Sequence, residues 1–219
     1  MMRVDVWSDL VCPWCYLGKR RLERALAGFE QRGQVVVVHR AFELDPERSR
    51  DRTVDRVASL AAKYGMTEPR ARAMEEEMER RAAGDGLEYH LVGGVVGNTF
   101  DAHRLVHLGR TRDLGDAVLE RLYRAHFTEG RSIFDIASLA ELGAEAGLDG
   151  DEARRALEGE AHAAEVRGDE RAARELAITG VPFFVLGGRY AVSGAQPVET
   201  FAGALRRAWD EVGAGASAG

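Results

Sequence analysis

Ser8-Asp9-Leu10-Val11-Cys12-Pro13-Trp14-Cys15-Tyr16-Leu17-Gly18 contains both cysteines of the 219-residue chain. Two cysteines make one C-x-x-C. A disulfide framework needs more pairs at longer spacings, and a structural zinc site normally needs four ligands, which no second pair supplies. A local dithiol remains, and with it redox chemistry. Pro13 suits the first position of a helix, because its ring already holds a helical φ and its missing N–H would be unpaired there anyway. Cys12 then stands at the helix N-terminus, where free N–H groups and the macrodipole favour an anion. Such placement lowers a thiol pKa from ~8.5 into the range ~3.5–7.5. Cys12 is therefore the expected nucleophile. Cys15, one turn further in, is the expected resolving thiol, and Pro13 and Trp14 between them are expected to tune the potential.

Outward from this segment, residues 4–8 read as a short strand of apolar, β-branched and aromatic residues interrupted by Asp5. Leu22, Leu26 and Phe29 continue the helix at helical spacing, and Gly33 is its expected stop. The four-valine run at 35–38 has the character of a strand buried on both faces of a mostly parallel sheet. Strand, helix and strand make a βαβ unit. Residues 45–160 change character to charged, Ala/Glu/Arg-rich sequence, with helices expected over 53–64, 69–83, 101–108, 114–127 and 136–146. Residues 87–98 are Gly-rich and read as irregular. One further helix is expected over 151–178. Phe183-Phe184-Val185-Leu186, Gly187-Gly188 and the run ending at Val192 form a hairpin signal. Val198, Phe201, Leu205 and Trp209 line a last helix, and the Gly/Ala/Ser run 213–219 is expected to be a disordered tail.

The 45 % hydrophobic content suffices for a sizeable core without staples. Thirty basic against 36 acidic residues leave a net charge of -6, which argues against nucleic-acid binding. No run of about 18 apolar residues exists, so no membrane span is expected. Met1-Met2-Arg3-Val4-Asp5-Val6-Trp7 lacks the pattern of a secretory leader, so a cytoplasmic location is expected.

Val181-Pro182 precedes an apolar strand, where Pro182 cannot donate a ladder hydrogen bond. In company with the dithiol it is read as a cis bond on a loop facing Cys12, with the Val181 backbone offered to substrate. At this point the sequence resembles DsbA-like proteins of the FrnE type. The resemblance covers the segment quoted first, then Phe42-Glu43-Leu44-Asp45-Pro46, Asn98-Thr99-Phe100-Asp101-Ala102-His103-Arg104-Leu105, Thr179-Gly180-Val181-Pro182-Phe183-Phe184-Val185 and Ser193-Gly194-Ala195-Gln196-Pro197. These blocks follow the family's order over nearly the whole chain. The resemblance implies an α/β fold: a thioredoxin-like mixed sheet with a large helical insertion between its βαβ and ββα halves. The expected parts are 1–44 (N-terminal βαβ), 45–160 (insertion), 161–212 (C-terminal αββα) and 213–219 (tail). It also implies thiol–disulfide oxidoreductase activity, with Cys12, Cys15 and Pro182 as functional positions.

A sister group, the 2-hydroxychromene-2-carboxylate isomerases and kappa-type glutathione transferases, is similar but typically has serine at the first active-site position and uses glutathione. Retention of Cys12 favours dithiol chemistry and leaves glutathione-dependent isomerisation or transfer as the alternative. A third reading is a non-catalytic chaperone or accessory protein. Protein or small-molecule disulfides and thiols are the expected partners, with homodimerisation allowed. No metal and no resident cofactor are expected, and a low-molecular-weight thiol such as glutathione is admitted as co-substrate.

Lesser features have two readings each. His103 and His107, four apart, suit either a metal or helix packing, and packing is preferred. Asn98 either caps the following helix or meets a ligand, and capping is preferred. Met66, Met74 and Met78 read as a core stripe, and Glu75-Glu76-Glu77 as a solvated face. Asp5 is either a buried proton acceptor for Cys15 or a solvated edge residue.

Overall fold

The computed structural model describes the backbone of residues 1–216 and the side chains through residue 211. In chain order, β1 (Met2–Ser8) leads into α1 (Pro13–Ala27), a short 3-10 turn (Arg32–Gln34) and β2 (Val35–Ala41). The middle of the chain holds β3 (Val54–Asp55), α2 (Arg56–Tyr64), α3 (Glu68–Gly84), β4 (Val95–Val96), α4 (Phe100–Arg110), α5 (Gly115–Phe127), α6 (Ile136–Glu145) and α7 (Gly150–Glu158). The last part holds α8 (Ala163–Glu175), β5 (Phe183–Leu186), β6 (Tyr190–Ser193) and α9 (Val198–Ala216).

The chain divides into two compact units: Met1–Phe42 with Asp169–Gly219, and Glu43–Gly168. In the first, four strands form a sheet in the order β2-β1-β5-β6. β1 pairs in parallel with β2 (Val4 opposite Val37) and antiparallel with β5 (Val6 opposite Phe184), and β5 and β6 form the hairpin announced by Gly187-Gly188. Period-two alternation sends successive side chains to opposite faces. Val4, Val6, Phe184 and Leu186 join Leu22 and Phe29 of α1 and Phe201 and Leu205 of α9 in one core. On the other face, Trp7, Phe183 and Val185 meet Ala173 and Ile178. Phe184 and Phe201 stand edge to face at 4.7 Å, both fully buried.

The four-valine run is not the doubly buried strand. β2 is the edge of the sheet, its valines are half-buried and Val36 is exposed. The strand covered on both faces is β1, which pairs on either side. Composition reports apolarity, whereas position in the sheet is decided by partners.

The unit boundaries fall at 42/43 and 168/169 where the sequence suggests 44/45 and 160/161. Two carboxylates account for this. Glu43, in the second unit, accepts from Asn98 Nδ2 (3.0 Å) and from Arg167 Nη1 (2.8 Å). Asp169, in the first, accepts from the Ala41 backbone N–H (3.0 Å) and from Arg40 Nη1 (2.9 Å), while its own carbonyl accepts from the Trp7 indole (3.0 Å).

The second unit is mostly helical, with β3 and β4 as a two-stranded antiparallel pair that takes the start of the helix expected over 53–64 and part of the segment read as irregular. The single helix expected over 151–178 is two helices. Between α7 and α8, His162 has φ +62°, and the carbonyls of Ala156 and Leu157 in the last turn of α7 and of Gly159 and Ala161 in the link turn toward Arg104, whose guanidinium binds all four while also meeting Asp101. Arg104 is 2 % exposed, and a fully donating guanidinium is what makes that burial tolerable. Glu75 also departs from its expected solvated face: it is buried against Arg56 at 2.9 Å. Met78 is buried and Met66 packs beside Val57 and Ala71, but Met74 is exposed, so the methionine stripe is incomplete. Of the tail expected over 213–219, α9 takes residues through Ala216, as alanine has the highest helix propensity and no proline stops the helix. The remainder, 217–219, lies outside the described residues.

Phe184→Ala would remove the ring that α9 packs on, leaving a cavity in the sheet core. A loss of about 3–5 kcal/mol is expected, read as a lower midpoint in urea unfolding.

Candidate active site

β1 ends at Ser8, and the chain turns through Asp9 to Val11 before Pro13 starts α1. Cys12 is the N-cap, extended at φ -88° and ψ 112°, with Pro13 in the first turn as expected. The Cys12 N–H donates to the Asp9 carbonyl (3.2 Å), and the Cys15 N–H donates to the Cys12 carbonyl (3.0 Å). No acidic side chain occupies the first turn of α1, so its positive end is left to the sulfur. Cys12 and Cys15 are both buried free thiols, and Trp14 between them is 40 % exposed.

The Val181–Pro182 peptide bond is cis, as read from the sequence. The Val181 carbonyl stands 3.7 Å from Cys12 Sγ and accepts the thiol proton when one is present. This brings Cys12, Cys15, Pro13, Trp14, Val181 and Pro182 to one end of the sheet, where β1 and β5 lie side by side.

The two sulfurs are not equivalent. The Cys15 side chain donates a hydrogen bond that holds the Cys12 thiol below its ordinary value, helped by the N–H groups of Cys15 and Trp14 and opposed by burial and the charge of Asp9. Burial pushes Cys15 well above the ordinary value. Its hydrogen bond to Cys12, the Cys12 charge and Asp9 act in the same direction, and the Asp9 N–H, which donates to Cys15 Sγ at 3.4 Å, opposes them. The reduced pair thus loses its first proton from Cys12 and keeps the second on Cys15.

Two contributors to this geometry were not singled out from the sequence. A Cβ on Gly18 would lie 3.0 Å from Pro182 Cγ and 3.1 Å from Phe184 Cζ, so glycine is what lets α1 pass against the proline loop. Arg21 Nη1 donates to the Ala195 carbonyl (2.7 Å), and the Gly194 N–H donates to the Pro182 carbonyl (2.8 Å), tying the turn after β6 to both. A glycine in mid-helix is the one sequence signal that pointed here.

Other candidates go elsewhere. Asp5 is buried but committed to Arg3 Nε (2.7 Å) and Arg40 Nε (2.9 Å), so neither of its readings holds. Asn98 spends its amide on Glu43 and its carbonyl on the Phe100 N–H (3.0 Å), which is the capping role. His103 and His107 are buried on α4, and among the described residues no group of three His, Cys, Asp or Glu side chains is placed to hold a metal.

Residues 3–206 match the model of the DSBA-like thioredoxin domain. The chain belongs to that family. A probable DsbA oxidoreductase from Streptomyces coelicolor is 50 % identical and superposes with a TM-score of 0.93 over 96 % of this chain and 91 % of that one. Two more distant members of the same fold are a 2-hydroxychromene-2-carboxylate isomerase and the cytosolic disulfide reductase DsbM from Pseudomonas aeruginosa. The isomerase is 18 % identical (TM-score 0.69), covering 96 % of this chain and 98 % of its own. DsbM is 20 % identical (TM-score 0.62), covering 99 % and 100 %, and is also known with GSH. In this chain the segment 43–168, mostly helical, is inserted between the two parts of the sequence that build the four-stranded sheet.

Two measurements check the site. Alkylation of the reduced protein by iodoacetamide, followed by peptide mass spectrometry, should modify Cys12 with a pH midpoint below that of free cysteine and Cys15 only at distinctly higher pH. Gly18→Val should force α1 and the Pro182 loop apart, costing about 1–3 kcal/mol in urea unfolding and raising the Cys12 midpoint.

Proposed function

We propose that the protein is a thiol–disulfide oxidoreductase working through the Cys12/Cys15 pair. The observation that carries this is the acidified Cys12 sulfur, set at the start of α1 and facing the Val181 carbonyl at 3.7 Å, with the protonated Cys15 behind it. The Cys12 thiolate attacks one sulfur of a substrate disulfide. That S–S bond breaks, a mixed disulfide forms at Cys12, and the first substrate sulfur leaves as a thiolate that takes up a proton. Cys15 then loses its proton and attacks Cys12 Sγ. The mixed disulfide breaks, the second substrate sulfur departs with the proton, and a Cys12–Cys15 bond remains. Two electrons have passed to the substrate. Run backward, the same steps oxidise a dithiol, and repeated partial cycles reshuffle disulfides.

Val181 and Pro182 form the substrate-facing wall, and Pro13 and Trp14 set the surroundings of the sulfurs. No metal or resident cofactor enters these steps. Glutathione, with which DsbM is known, fits as a small thiol co-substrate that returns the pair to its starting state. The cytoplasm is the compartment this reading assigns, since a reducing thiol pool there supplies electrons. The fold is also that of a 2-hydroxychromene-2-carboxylate isomerase, which favours glutathione-dependent isomerisation or transfer on small aromatic compounds as the second reading.

Cys15→Ala removes the resolving sulfur and should accumulate a mixed disulfide at Cys12 with a disulfide-bonded peptide, seen as a mass adduct reversed by reductant. Cys12→Ser should abolish both adduct and exchange. Absence of any adduct in Cys15→Ala overturns the reading. Isomerase or transferase activity that survives Cys12→Ser would establish the second one.

A further inference from the structure

Asp9 takes no part in the steps above, yet it touches both cysteines. It is 1 % exposed, and its Oδ1 is sealed from solvent. Its carbonyl accepts the Cys12 N–H at 3.2 Å and its N–H donates to Cys15 Sγ at 3.4 Å, so the main chain of one residue spaces both thiols. We propose that Asp9 is a positioning residue that sets the redox balance of the pair: its main chain holds the two sulfurs in register, and its buried carboxylate opposes negative charge on them. This rests on the dithiol reading and adds a determinant of its potential.

The charge of Asp9 raises both thiols, Cys12 and Cys15 alike. Lys19 and Arg20 of α1 both bind Glu23, the residues inside the motif are Pro13 and Trp14, and the loop before β5 presents Val181 and Pro182. Reduction of the Cys12–Cys15 bond takes up two electrons and one proton, leaving a thiolate on Cys12 and a thiol on Cys15. The disulfide carries no charge, so a nearby carboxylate penalises the reduced form alone. Asp9 therefore lowers the reduction potential and makes the pair a better electron donor. Without its charge the thiolate gains stability, and the protein becomes more oxidising.

Asp9→Asn keeps the shape and the main-chain bonds while removing the charge, and Asp9→Ser is a second neutral variant should the first fail to fold. Two readouts apply: the Cys12 titration followed by ultraviolet thiolate absorbance, and the equilibrium of oxidised protein plus two glutathione with reduced protein plus glutathione disulfide. The neutral variants should titrate at lower pH. Their equilibrium should move roughly tenfold toward the reduced protein, which is about 30 mV for this two-electron couple. A purely structural Asp9 would change the urea midpoint and leave both readouts within twofold of wild type, and that result overturns the proposal. If the titration shifts as stated while wild-type protein exchanges with no disulfide, the electrostatic role of Asp9 stands and the oxidoreductase reading falls.

Discussion

A thiolate is stable in a protein only where something replaces the water it has lost. Here the replacement is the hydrogen bond from Cys15 to Cys12, backed by the N–H groups that open α1. Burial alone would drive both sulfurs to the neutral form, as it does for Cys15. The same contact that acidifies one thiol holds the proton on the other, so asymmetry between two chemically identical residues comes from depth and order along one helical turn. Everything else at the site serves to keep that turn in place: Pro13 starts it, Gly18 lets it lie against Pro182, and Arg21 fastens the loop beyond.

The sheet behind the site fixes where the turn lies. β1 delivers the chain to Cys12 and β5 begins directly after Pro182, and these two strands are hydrogen-bonded neighbours. Segments about 170 positions apart in the chain are brought to one spot by a ladder of backbone bonds rather than by flexible loops. Burial of Phe184 between α1 and α9 holds the far side of that ladder. A site on strand ends and a helix start is held more precisely than one on loops, which suits a reaction whose sulfurs must align for displacement.

Ion pairs organise the rest of the chain by ending elements as much as by stabilising them. Arg104 gathers two carbonyls from the last turn of α7 and two from the link to α8, and so holds the break between the two helices. Consecutive residues Gly168 and Asp169 fall in different units because Arg167 reaches Glu43 whereas Asp169 reaches Arg40 and Ala41. Buried groups of this kind cost much to desolvate, and their multiple partners are what keep the local geometry unique.

Local chemistry was legible in the residues. The C-x-x-C with its proline, the Gly-Gly hairpin, the apolar faces of Leu22, Phe29, Phe201 and Leu205, and the capping role of Asn98 all follow from interactions within a few positions, where propensity and spacing act directly. The long-range choices were not. Whether Val35 to Val38 lies inside or at the edge of the sheet depends on which strand β1 finds as its second partner. Whether helix continues through residues 159–162 depends on an arginine more than fifty positions earlier. Where the Asp5 carboxylate is spent depends on Arg40, on the neighbouring strand β2. Sequence determined which atoms are able to react and what the short segments prefer; the tertiary structure decided which neighbours surround each charge, because Coulomb forces and burial act through space and not along the chain.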